Sequence, residues 1–227
     1  MADGNTPRIS INQLAGYLVA APTQRRRIIR DAKNPAAFRV NWYDLARQPI
    51  CAFIASGMSN ENQLLTEAAR LYALPGANDY EDARNRTNAE ALEAFLDCYD
   101  QIDLEGMTVQ AGPNDCPILL IHGVSISVRP EFVLRGQYRG QGCSGALKLY
   151  FSKDDCLTDD TAPYITCVVM RHVQDHSQPP NHTARHANCQ VIDVFGKRIH
   201  PAPRATTRRF QDIDAACQEI ALLWPTV

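Results

Sequence analysis

The stretch that decides the fold reads Leu119-Leu120-Ile121-His122-Gly123-Val124-Ser125-Ile126-Ser127-Val128-Arg129-Pro130-Glu131-Phe132-Val133-Leu134-Arg135. A glycine-rich segment, Gly136 to Gly145, follows it, and then Ala146-Leu147-Lys148-Leu149-Tyr150-Phe151-Ser152-Lys153. Runs of branched and aromatic residues bounded by Gly or Pro are strand signals. They predict strands over 117–121, 124–128, 132–134 and 146–151, with 136–145 as a flexible hairpin connection. Just upstream, residues 107–110 read as another strand, and downstream 190–195 returns to strand before a Gly196-Lys197 turn into Ile199.

Outside this block the apolar period is helical. Ser10 is placed to cap a short helix carrying Ile11, Leu14, Leu18 and Val19, and a second helix is expected from Gln24 to about Lys33. A broad apolar face spans residues 41–55, and Ser59 is a candidate cap for the helix that Pro75-Gly76 ends. Thr87 precedes a further predicted helix with Ala91, Leu92, Phe95 and Leu96 inward. Residues 159–176 and the chain's last twenty or so residues also read as helices. The expectation is an α/β (α+β) chain, with a helical N-terminal region over 1–86 followed by a mixed sheet flanked by helices over 87–227.

Composition sets broad limits. A chain of 227 residues, 45% apolar and 21% charged, needs no metal or disulfide staple to hold a core. Net charge is −2, which excludes a polybasic, histone-like protein. No apolar run approaches the roughly 18 residues of a membrane span, and the N-terminus lacks the pattern of a secretory signal. A cytoplasmic protein with no membrane association is expected. The eight cysteines include no Cys-x-x-Cys pair, which argues for free, mostly buried thiols in a reducing compartment.

An acid after proline at one strand's start, with a lysine inside the next strand, resembles the PD-(D/E)XK nuclease superfamily, the restriction-endonuclease-like fold. The resemblance covers about residues 88–196 and rests on Pro130-Glu131 and on Ala146-Leu147-Lys148. It implies metal-dependent phosphodiester hydrolysis, with Mg²⁺ held on carboxylates and a lysine that positions water and offsets phosphate charge. On this pattern Glu131 matches the first acid and Lys148 the lysine. The second acid should stand two residues before the lysine, where strand alternation puts both on one face. That residue is Ala146, so the set is depleted. The resemblance therefore implies Mg²⁺ on Glu131, with Glu90 or Glu93 from the preceding helix completing the ligands, and hydrolysis weak or lost. Tyr164 resembles the tyrosine that some relatives place on the helix after the lysine strand. The expected role is in DNA processing or defence against foreign DNA, either as a degenerate nuclease or as a non-catalytic interaction subunit that docks a partner protein or DNA. The plainer alternative is that Glu131 and Lys148 are ordinary residues at a strand bend and on a solvated strand.

Basic residues gather in two places. Residues 24–48 hold seven, among them Arg25, Arg26, Arg27 and Arg39, against two acids, and 197–209 hold five with none. Such patches suit a phosphate backbone, and Arg129, Arg135 and Arg139 would extend them, although a charge run is also the usual form of a solvated face. His172, His176, His182, His186 and Cys189 offer enough ligands for Zn²⁺. The helix-breaking 177–181 between the two pairs argues against that, with His182 and His186 expected in a loop. The glycine segment lacks the Gly-Lys-Ser/Thr of a phosphate loop, and no Gly-x-Ser-x-Gly occurs.

Overall fold

The computed structural model describes residues 6–35 and 42–227. Arg39 of the first basic run and Asn41, the expected start of the third helix, lie outside the described residues, as do Met1 to Asn5. In chain order the elements are β1 (Arg8–Ser10), α1 (Ile11–Val19), α2 (Pro22–Lys33), α3 (Asp44–Ala55), α4 (Glu61–Ala73) and α5 (Asp79–Leu96). Then come β2 (Met107–Ala111), β3 (Leu119–Ile121), β4 (Val124–Ser127), β5 (Phe132–Tyr138), β6 (Gln141–Tyr150) and α6 (Ala162–His172). The chain finishes with β7 (His182–Asp193), β8 (Arg198–Pro201) and α7 (Thr207–Leu223).

The main sheet has five strands in the order β2-β5-β6-β7-β8. The β2, β5 and β6 strands form an antiparallel meander, α6 crosses over, and β7 runs parallel to β6. The predicted strands over 117–121 and 124–128 do not enter this sheet. They become β3 and β4 of a separate three-stranded sheet, completed by β1 running parallel to β4. Three residues are too few for periodicity to reveal, so β1 is invisible in the sequence.

Alternation along the main strands sorts side chains into two cores. Ala146, Tyr150, Cys189 and Val191 face a cluster built with α1, α6, α7 and the small sheet. Leu147, Leu149, Ile192 and Val194 face the other cluster, built with α3, α4 and α5. The first 86 residues thus supply both faces of the sheet, and the expected boundary at residue 86 falls inside α5.

Local chemistry explains most element ends. Ser10 caps α1 in a reciprocal capping box, its side chain accepting from the Gln13 N–H while Gln13 accepts from the Ser10 N–H. Pro22 opens α2 at a position where a missing N–H costs nothing. Four readings need correction. Asn60, not Ser59, stands at the start of α4. Thr87 starts no helix: Asn78 caps one continuous α5, accepting from the Glu81 N–H, and the Thr87 hydroxyl donates to the Ala83 carbonyl. The glycine-rich 136–145 is mostly paired strand, with the turn confined to Arg139-Gly140, and His182 pairs within β7 while His186 lies in that strand's bulge.

Candidate functional site

The short β5 and the long β6 create an open end of the sheet. Phe132 pairs with Leu147, so Glu131 arrives opposite Lys148 just where the ladder stops. The N–H of Leu149 then has no strand partner in β5, and Glu131 Oε2 accepts its hydrogen bond at 2.7 Å. Gly112 fixes the Glu131 backbone from the other side, its N–H donating to the Glu131 carbonyl at 2.8 Å. A Cβ on Gly112 would collide with the Pro130 carbonyl, so this approach requires glycine.

Arg129 turns the chain into β5 with a φ of +47°, a left-handed conformation uncommon for a side chain of this kind. The turn aims its carbonyl inward, where Lys148 Nζ donates to it at 3.3 Å. Lys148 is only 8% exposed. Burial pushes its ammonium pKa below the ordinary lysine value; Glu131 opposes that shift, while Arg47 and Arg129 reinforce it.

Together these residues line a cavity of about 620 Å³ with Asn12, Tyr43, Arg47, Cys51, Asn114 and Phe151. Tyr43, Arg47 and Cys51 sit at four-residue spacing, which puts them on one face of α3. That helix lacks a side-chain cap of its own, and the buried Asn88 of α5 supplies one across the interface, its Oδ1 accepting from the Ala46 N–H at 2.8 Å. Tyr43 stacks on Phe151 with ring centres 5.0 Å apart, forming an aromatic wall at the cavity edge. Burial, with Glu131 adding to it, lifts the Cys51 thiol to about 12, so it stays protonated.

The structure brings Glu131, Lys148 and Arg129 to this one cavity and places the other expected site residues elsewhere. Glu90 pairs with Lys153 at 2.6 Å, and Glu93 accepts from the Tyr72 hydroxyl at 2.8 Å; neither lines the cavity. Tyr164 donates to Asp212 at 2.9 Å in a separate depression with Arg208 and Arg209. Ala146 is fully buried in the apolar cluster beneath α6. Arg25 pairs with Glu219 and Arg27 with Asp31, while Arg26 projects into solvent from the same helix. Arg135 and Arg139 lie on the exposed β5 side of the hairpin. Tyr43 and Asn12 carry no signal in the sequence, and Arg47 stands out there only as one of the seven basic residues over 24–48.

The histidines separate as well. His172 Nε2 faces Cys116 Sγ at 3.6 Å and its ring lies 5.1 Å from that of His176, whereas His182 Nδ1 contacts Ser144 Oγ and the Cys143 carbonyl, each at 3.2 Å. Among the described residues, no three His, Cys, Asp or Glu side chains converge as a metal-holding group. The described cysteines are free thiols, five buried and three partly so. No helix among the described residues is long and apolar enough to cross a membrane. Three cationic side chains around a single carboxylate, one oxygen of which is already bonded to backbone, leave this cavity with an excess of positive charge. The chain itself is a mixed α+β protein with that cavity at the end of its main sheet, and compared with known proteins its sequence matches no family model and no curated protein.

Proposed function

We propose that the chain is a nucleic-acid-associated protein with a restriction-endonuclease-like core, whose cavity holds a phosphodiester and whose metal-dependent hydrolysis is lost. The observation that carries this reading is the pairing of Glu131 and Lys148 in one cavity flanked by Arg47 and Arg129. The element order supports it: a helix, three antiparallel strands with β3 and β4 inserted between the first two, a crossover helix and a fourth strand parallel to the third. Lys148 and the two arginines suit the non-bridging oxygens of a phosphodiester, where charge-assisted hydrogen bonds are strongest.

The same residues do not fit a Mg²⁺ centre. Mg²⁺ needs octahedral oxygen ligands and is usually carried on one or two carboxylates plus phosphates. Here one carboxylate is half committed to the Leu149 N–H, Ala146 has no ligand atom, and three cations repel a divalent ion. Lys148 and Glu131 are both satisfied by backbone partners, an arrangement that favours a non-catalytic interaction subunit of a DNA-processing or defence complex over a slow enzyme.

The test pairs a cleavage assay with a binding assay. With Mg²⁺ or Mn²⁺ the protein should leave DNA uncut, while oligonucleotide binding should fall steeply with salt and weaken in Lys148→Ala and Arg129→Ala. Robust metal-dependent cutting that Lys148→Ala abolishes would restore catalysis. Binding unaffected by salt would remove the phosphodiester reading.

A further inference from the structure

The β6–β7 ladder is interrupted at its entrance. Ser144 pairs with Ala184, but Ala146 pairs with Cys189, so residues 185–188 of β7 loop out of the sheet. Bulges re-aim side chains and are frequent beside binding sites. This one is pinned: Gln190 Nε2 donates to the Ala187 carbonyl at 2.7 Å, and the Ala202 N–H donates to the His186 carbonyl at 3.2 Å. Gly145 makes room for it, since a Cβ there would strike the Asn188 carbonyl.

The bulge delivers Arg185 onto the face of Tyr138, its guanidinium 3.4 Å from the ring centre, while Asn188 Oδ1 accepts from Arg185 at 3.3 Å and steadies it. Arg139 lies 5.2 Å from the same ring. Beside this stack is a cavity of about 330 Å³, within the size range of small-ligand pockets, with Cys143, Met170 and Ala184 in its apolar lining and Arg204 at its rim. No acidic residue lines it. Among the described residues, Arg139, Arg185 and Arg204 take part in no ion pair. Tyr138 remains 41% exposed although it carries a guanidinium on its ring.

We propose that this cavity is a second nucleic-acid site, which stacks an unpaired base of a single strand on the Tyr138–Arg185 pair while Arg139 and Arg204 take the flanking phosphates. It shares no residue with the Glu131–Lys148 cavity and stands whether or not that cavity binds a phosphodiester. A flat, sequence-tolerant platform beside unneutralised arginines is how proteins hold single strands, whose bases are free to stack. In a duplex the bases are already stacked on one another and offer no open face to such a cavity. An acidic peptide would satisfy the arginines but leave the apolar lining and the stacked ring unused.

The experiment titrates the full-length chain against a fluorescent oligothymidylate and against a duplex of matched length. The single strand should bind more tightly, and Tyr138→Ala and Arg185→Gln should each weaken it by about fivefold or more. Tyr138→Phe should preserve binding, and the Tyr138→Ala loss should persist in a Lys148→Ala background, which separates the two cavities. Tyr138→Ala binding the strand within twofold of the unmodified protein would overturn the proposal. So would polyglutamate binding with matching affinity and the same dependence on Tyr138.

Discussion

Glu131 Oε2 closes the end of the main sheet by accepting the Leu149 N–H at 2.7 Å, a bond that in a longer β5 would belong to the ladder. The carboxylate therefore has a structural task before any chemical one. Substituting Glu131→Ala should leave that amide unpaired in a part-buried position and lower stability by about 1–3 kcal/mol in denaturant unfolding. Glu131→Gln keeps an acceptor and should cost less than about 1 kcal/mol. Because it also removes the cavity's negative charge, it should tighten oligonucleotide binding. A residue that binds nucleic acid through Mg²⁺ would respond in the opposite sense, so weaker binding by Glu131→Gln in the presence of Mg²⁺ would contradict this account.

Lys148 is a charge held almost out of water beside Arg47, Arg129 and Glu131, with the Arg129 carbonyl accepting from its ammonium. A buried charge costs free energy unless it is well paired, and Lys148→Met removes that cost together with the bond to the Arg129 carbonyl, so it should stabilise the protein by about 1 kcal/mol at pH 7. Its folded-state pKa is depressed, so below the unfolded lysine value of about 10.4 the unfolded chain holds more of this proton. Stability from this group therefore rises with pH over the window between the depressed pKa and about 10.4. The advantage of Lys148→Met should shrink as the pH is raised through that window. Parallel unfolding curves of the two proteins at neutral and alkaline pH measure this directly, and the same variant should lose oligonucleotide affinity.

Much of this arrangement is visible before any coordinates, and the parts that are not share a cause. The Ser10 cap, the branched runs of β5 and β6 and the helix of α7 announce themselves because neighbouring residues along the chain decide them. Gly142 and Gly145 read as a loop, yet they are strand residues made small by what approaches from β7: the His182 ring and the Asn188 backbone. The first half of α5 is highly polar and shows no apolar period, but its Asn85 and Asn88 are buried and bond the Leu74 and Trp42 carbonyls. Pro130-Glu131 and Lys148 stand out as a pair because an acid after proline with a lysine in the next strand resembles the PD-(D/E)XK pattern. Arg47, Tyr43 and Asn12 join them only through helix docking, which no local pattern encodes.

On the proposed restriction-endonuclease-like reading Ala146 stands where a second acid would be needed, and it is fully buried against apolar neighbours on the α6 side. Introducing a carboxylate there places a charge in the core without a partner. Ala146→Glu should destabilise the protein by about 3 kcal/mol or more. Added Mg²⁺ or Mn²⁺ should fail to restore the unfolding midpoint. A divalent-metal-dependent recovery would mean that residue 146 opens onto the cavity after all, and catalysis would then be one substitution away.

His172 gives the fold an acid limit. Only 1% of the residue is exposed, its Nδ1 has no hydrogen-bond partner, and burial, with His176 beside it, lowers its pKa from 6.5 to about 4. Asp175 acts in the opposite direction and is outweighed. Between those two values the unfolded chain binds a proton that the folded chain refuses, so stability is full above 6.5 and declines as the pH falls toward 4. Cys116 Sγ faces Nε2 at 3.6 Å. His172→Gln removes the titrating group and retains polar contact, so its unfolding free energy should vary less between pH 6.5 and pH 4.5 than that of the unmodified protein. Urea denaturation at a series of pH values makes the comparison, and parallel pH profiles for the two proteins would place the acid sensitivity in some other group.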